Sequence, residues 1–272
     1  MGRIAIVRWV LSSFLVLAPP ATASAQMIDV DLELVLAVDV SRSMDYEERR
    51  LQRDGYVAAF RHPEVIAAIA SGPLGRIAVT FFEWAGPLKQ TVVVPWTTIA
   101  SANDANAFAD RLGAEAVRRE RGTSISGGLV FASVLFEQSN VRSYRRAVDV
   151  SGDGPNNLGP PVVAARDRLV ADGVTINGLP IMLRPGGGMG AFGIAELDIY
   201  YEDCVVGGPG AFVVTVDDVS QFPAAIRRKL VLEIAGIEPE AELIPAAVFV
   251  PTPRIDCLIG EKRRQRWILD QE

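Results

Sequence analysis

The sequence predicts an α/β domain: a doubly wound, mostly parallel central sheet with one antiparallel edge strand, covered by helices on both faces. Three observations point there. Continuous apolar runs such as Leu34–Val38 have the character of strands buried on both faces. Segments of helical period alternate with those runs at βαβ spacing. The β-rich segments Arg76–Phe82 and Thr91–Pro95, joined by a Gly86-Pro87 turn, read as a hairpin that supplies an antiparallel strand.

The elements follow in order. Met1–Ala25 carries Arg3 and Arg8, a short apolar run Trp9–Ala18, and Ala23-Ser24-Ala25, an A-x-A cleavage pattern. It reads as a secretory signal peptide cleaved near Ala25. The apolar run is too short for a membrane span, and no cysteine follows that could take a lipid. The first strand ends in Asp39, and Asp45 with Glu48 three residues later forms a capping-box pattern. That helix should run to about Arg61 and restart or kink at Pro63, through Ile69. Asn103–Arg119 and Ser124–Gln138 read as helices. Ala147–Val150 and Val174–Leu183 read as strands around a helix at Pro161–Ala171. Phe212–Val216 is predicted as a last strand, and Val219–Ala235 as an amphipathic helix ended by Gly236. The division is then 1–25 signal peptide, 26–236 domain, and 237–272 C-terminal tail. The tail is proline-rich, then basic at Lys262-Arg263-Arg264, and should be extended with its basic cluster in solvent.

Composition excludes several functions. With 49% hydrophobic and 22% charged residues the chain is globular, not disordered. Its net charge is -6, and loss of Arg3 and Arg8 on cleavage leaves -8, which disfavours nucleic-acid binding. One histidine and two cysteines are too few for a zinc site of the usual Cys/His kind. After export, Cys204 and Cys257 face an oxidising compartment and are expected to pair, closing a loop of about fifty residues worth roughly 4 kcal/mol. The alternative is two free buried thiols.

Three polar clusters fall at the carboxyl ends of strands, where open α/β sheets bind ligands. They are Asp39-Val40-Ser41-Arg42-Ser43, Gly122-Thr123-Ser124 opening a helix, and Ser151-Gly152-Asp153-Gly154. The donors are hard oxygens, two carboxylates and hydroxyls, a set suited to Mg²⁺. A D-x-S-x-S string alone is common and often only caps a helix. The order D-x-S-x-S, then G-T before a helix, then D-G after a later strand is far more specific. The arrangement resembles the von Willebrand factor A domain and its metal-ion-dependent adhesion site, over about Asp31–Ala235. The resemblance implies that Asp39, Ser41, Ser43, Thr123 and Asp153 hold one divalent ion. That ion is Mg²⁺ by preference, with Mn²⁺ or Ca²⁺ as alternatives, and it keeps an open position for a partner's carboxylate. More narrowly, Leu36–Met44, Ser151–Asn157 and Val206–Phe212 are similar to a family of exported bacterial A-domain proteins with no established activity. Arg42 departs from the glycine of many A-domains and would bias which anion docks if it sits beside the ion; otherwise it faces solvent.

Other signals are weaker. Gly188–Gly193 matches G-x-G-x-x-G, but Pro185-Gly186-Gly187 lengthens the loop beyond a dinucleotide turn. Ser124 and Ser126 are not in G-x-S-x-G, and His62 precedes Pro63 at a helix end, a structural position. The sequence therefore predicts a periplasmic or secreted, metal-dependent protein-binding module, not an enzyme, whose partner offers an Asp or Glu carboxylate. It binds no nucleic acid and has no stable membrane insertion of the mature chain. A metal-dependent hydrolase using the same ion, and a non-binding scaffold, are the alternatives.

Overall fold

A computed structural model describes residues 27–183, 192–236 and 253–271. The signal segment, most of the Gly188–Gly193 string and the start of the C-terminal segment lie outside these residues. Five strands form one sheet in the order β3-β2-β1-β4-β5. They are β1 (Ile28–Asp39), β2 (Ile77–Trp84), β3 (Gln90–Ile99), β4 (Val141–Gly152) and β5 (Val174–Pro180). All pairings are parallel except β2 with β3, so the hairpin places its second strand antiparallel at one edge.

β1 shows why the sheet is buried on both faces. Leu32, Leu34, Leu36 and Val38 point into one core, and the intervening Val35 and Ala37 into the other, as the two-residue strand period requires. The first core is closed by α1 (Tyr46–Arg61), α2 (Pro63–Ala70), α3 (Ala102–Ala114) and α7 (Phe222–Ala235). The second is closed by α4 (Ile125–Glu137), α5 (Val162–Ala171) and α6 (Leu197–Tyr200), which runs on as a wide π turn at Tyr201–Val205. α1 begins with the reciprocal capping box of Asp45 and Glu48. His62 caps α2, its Nδ1 accepting from the Glu64 N–H at 3.2 Å.

Three expectations are corrected. The helix predicted to reach Arg119 stops at Ala114, because Arg53 donates to the Leu112 and Glu115 carbonyls and draws the chain out of the helix. Beyond it the Glu120 N–H bonds the Val40 carbonyl at 2.9 Å. Phe212–Val216 is not a full strand. It runs beside β5 through isolated bridges at Val213 and Val216, interrupted where Pro180 has no N–H to offer. The C-terminal segment is not extended throughout: Ile259–Leu269 forms a helix, α8. Its sequence, free of proline and rich in good helix formers, permits this once the proline-rich stretch has ended.

α8 is fastened to the domain. Cys204 and Cys257 are joined by a disulfide, and Ile255, Cys257 and Ile259 pack on the second core. Arg254 pairs with Glu202 at 2.6 Å and Asp203 at 2.7 Å. Gly260 approaches the Asn156 carbonyl so closely that a Cβ there would lie 2.1 Å from its oxygen. Among the described residues no helix is long and apolar enough to cross a membrane.

Candidate metal centre

The parallel register sets the site. Asp39 ends β1 opposite Trp84 of β2, and Val38 lies opposite Ser151 of β4, so the first and third loops leave the sheet side by side. The Ser41 N–H bonds Asp39 Oδ1 at 2.7 Å, a local turn that fixes the carboxylate rotamer. Ser41 Oγ and Ser43 Oγ are 2.7 Å apart, and Ser43 Oγ donates to Asp153 Oδ1 at 2.6 Å. One chain of oxygens thus joins residues 110 positions apart in sequence.

The second loop is braced to the third by two asparagines. Asn157 Oδ1 accepts from the Thr123 N–H at 3.3 Å, and the Thr123 carbonyl accepts from the Asn157 N–H at 3.0 Å. Asn156 Oδ1 accepts from the Ser126 N–H at 3.1 Å, while its Nδ2 donates to Glu261 of α8 at 2.7 Å. Ser124 caps α4 by accepting from the Gly127 N–H. These hydroxyls and amides serve loop structure.

Ser41, Ser43, Thr123 and Asp153 line one cavity of about 250 Å³, and Asp39 lies fully buried at the adjoining strand end. Asp39 Oδ2 has no hydrogen-bond partner among the described residues, and neither has the buried Tyr201 hydroxyl. Both crowd Gly152: a Cβ there would meet the Tyr201 hydroxyl at 2.9 Å and Asp39 Oδ2 at 3.0 Å, so any larger residue would have to displace them. Burial, then the charge of Asp153, holds the Asp39 carboxyl well above the usual carboxylate range, against hydrogen bonds from Ser41 and the Asp153 backbone. Burial, then the charges of Asp39 and Asp153, pushes the Tyr201 hydroxyl up as well. An unpartnered carboxylate oxygen beside a second carboxylate and a row of hydroxyls fits a hard divalent cation. Among the described residues no group of three His, Cys, Asp or Glu side chains is placed to hold a metal, so any ion here would depend on the hydroxyls too.

Comparison with known proteins places the chain in a family. A family model described as a protein of unknown function, DUF1194, matches residues 29–238. The chain belongs to the DUF1194 family. No curated protein matches it. Among solved structures, the DUF1194 chain is similar to proximal thread matrix protein 1 from the mussel byssus, with a zinc-occupied MIDAS motif. That match has 17% identity and a TM-score of 0.52, covering 78% of this chain and 49% of the mussel chain. It is similar to the pilus adhesin SpaC from Lactobacillus rhamnosus GG in its open conformation, at 13% identity and TM-score 0.55, over 75% of this chain and 30% of SpaC. It is also similar to a von Willebrand factor type A protein from Catenulispora acidiphila, at 15% identity and TM-score 0.51, over 76% and 43% of the two chains. The DUF1194 chain therefore has a von Willebrand A-like fold, and it spans less than half the length of each of these proteins.

The structure adds site residues that sequence reasoning missed. Asn156 and Asn157 cross-brace two loops; in the sequence they stand at the end of the Ser151–Asn157 string, which gives no sign of that role. Arg264 of the C-terminal helix, which the sequence places in solvent, lines the cavity, and so does the exposed Arg42, for which the sequence leaves both a place beside the ion and one in solvent open.

Proposed function

We propose that this chain is an exported binding module that holds a divalent cation at the sheet's carboxyl edge and engages a carboxylate of a protein partner through it. The observation carrying this reading is the buried Asp39 carboxyl, whose Oδ2 lacks a partner among the described residues while a chain of hydroxyls links its loop to Asp153. Asp39, Ser41, Ser43, Thr123 and Asp153 would hold the ion. Mg²⁺ suits two carboxylates and neutral oxygens best, with Mn²⁺ and Ca²⁺ as alternatives. When bound, the ion supplies a Lewis-acidic position open to an anionic oxygen.

The chain's own residues do the rest. The Ser41 N–H holds Asp39 in one rotamer, and Ser43 spans from Ser41 to Asp153. Asn157 fixes the backbone on which Thr123 stands. Similarity to an adhesin and to a protein with an occupied MIDAS motif supports the reading, as does the disulfide, which suits export to an oxidising compartment after cleavage near Ala25. We read a binder and not a hydrolase because Asp153, the carboxylate lining the cavity, already accepts from Ser43 and offers no separate base for water.

Thermal melting of the mature protein with Mg²⁺, Mn²⁺ and Ca²⁺ tests this. At ten times the dissociation constant the gain is about 1.4 kcal/mol, enough to raise the melting temperature visibly. Asp39→Asn, which keeps the acceptor for Ser41, should abolish the rise and leave the metal-free protein folded. No rise in the wild type with any of the three ions would defeat the reading.

A further inference from the structure

The cavity over the candidate metal centre is walled by a segment distant in sequence. α8 is held there by the Cys204–Cys257 bridge, by Glu261 on Asn156 and by the tight seat of Gly260. Its cations differ in what they do. Lys262 pairs with Asp256 at 2.6 Å, and Arg263 donates to the Gly193 carbonyl. Arg264 lines the cavity instead, as Arg42 does from the first loop, and among the described residues neither guanidinium has an acidic ion-pair partner. Phe192 forms an apolar wall, and Trp267 of α8 meets its ring edge-on at 5.8 Å.

Charge and size then define what fits. A divalent ion offsets the charges of Asp39 and Asp153, which leaves the two guanidinium charges without counter-charge in a cavity of about 250 Å³. One carboxylate on the ion satisfies only part of that field. A planar guanidinium is suited to grip a second carboxylate with paired hydrogen bonds. We propose that Arg264, together with Arg42, determines specificity at this site, and that its ligand carries two neighbouring anionic groups, one for the ion and one for the arginines. The proposal rests on the metal-binding reading above. The shared chemistry is a dicarboxylate, available as a small free acid or as adjacent acidic side chains of a peptide.

The test is calorimetric titration of the mature, disulfide-bonded protein saturated with Mn²⁺. The probes are glutarate against butyrate, and acetyl-Asp-Glu-amide against acetyl-Asp-Gln-amide. Wild type should prefer at least one dianion over its monoanion by about tenfold, the worth of one charge-assisted hydrogen bond. Whether glutarate or the peptide shows the larger preference identifies the source. Arg264→Ala should erase the preference while leaving the Mn²⁺-dependent rise in melting temperature unchanged. If wild type binds Mn²⁺ but shows no dianion preference, or if Arg264→Ala retains it, the proposal is overturned and the metal reading stands. If wild type shows no rise with Mn²⁺, Mg²⁺ or Ca²⁺, the metal reading fails and takes this proposal with it.

Discussion

Lys229 Nζ on α7 lies 2.7 Å from Asp149 Oδ1 on β4, and both side chains are buried in the first core. The same ammonium bonds Glu233 one helical turn on, so one cation serves two carboxylates. Tyr56 donates to Asp149 at 3.2 Å, Asn177 donates to Glu233 at 3.2 Å, and the Phe212 ring centre is 5.4 Å from the ammonium. Lys229→Met keeps most of the apolar stem of the side chain but leaves two buried carboxylates facing each other. It is expected to cost at least about 3 kcal/mol, read as a lower urea midpoint at unchanged slope.

The same triad gives a pH dependence. Burial first, and then the charge of Asp149, push the Glu233 carboxyl from its ordinary 4.5 up to about 7, against the pull of Lys229. The folded state therefore holds this proton more tightly than the unfolded chain does. Its contribution is undiminished below pH 4.5, is lost as pH rises towards 7, and stays lost above that. Glu233→Gln removes the titration while keeping an acceptor for Lys229. The variant should gain on the wild type by about 3 kcal/mol between pH 4.5 and pH 8 in urea melts. Parallel pH profiles for the two proteins would refute the assignment.

The sheet and the loops at its carboxyl edge were legible because the run Leu34–Val38 is apolar on both faces and ends at Asp39, and the shorter run Ala147–Val150 leads on to Asp153. Period and turn chemistry carry that information locally. The Lys229–Glu233 pair was not legible: an i, i+4 pair of opposite charge on a helix looks the same in solvent as in a core, and only packing against Asp149 distinguishes the two. The docking of α8 was equally hidden. Arg264 reads as one more surface cation until the disulfide and the approach of Gly260 to Asn156 place it over the site. Val213 and Val216 have strand-like neighbours, and Pro180, on the strand they face, prevents the continuous ladder.

The disulfide should matter more for the C-terminal segment than for the core. Replacing Cys204 and Cys257 together by serine is expected to cost about 2–4 kcal/mol, from the loop closure lost in the unfolded chain. Cys204 is fully buried, so part of that loss reflects a hydroxyl placed in an apolar setting. Urea melts of the wild type with and without reductant separate the two contributions, since reduction leaves thiols and no hydroxyl.

The candidate ligands should differ in weight. Thr123 presents a neutral hydroxyl, whereas Asp39 presents a buried charge, and a hard cation gains more from the charge. Thr123→Ala should reduce the Mn²⁺-dependent rise in melting temperature, and Asp39→Asn should eliminate it. Thr123→Ser, which restores the hydroxyl, should recover most of the difference. A rise equal to wild type in Thr123→Ala would remove this residue from the ligand set.

Gly260 offers a way to move the wall of the cavity without touching its floor. A Cβ at this position would sit 2.1 Å from the Asn156 carbonyl oxygen, a distance that real structures do not tolerate, and in a tight 3.1 Å contact with Pro155 Cγ. Backbone carbonyl and proline ring cannot swing aside as a long side chain can, so α8 must shift outward. That shift would displace Arg264 from the cavity it lines together with Ser43 and Asp153. Gly260→Ala should therefore cost about 1–3 kcal/mol, the usual range for forced overpacking. It should also lose the dianion preference as Arg264→Ala does, while the Mn²⁺-dependent rise persists because no proposed ligand is on α8. A variant with full stability and full preference would show that the helix does not form this wall in solution.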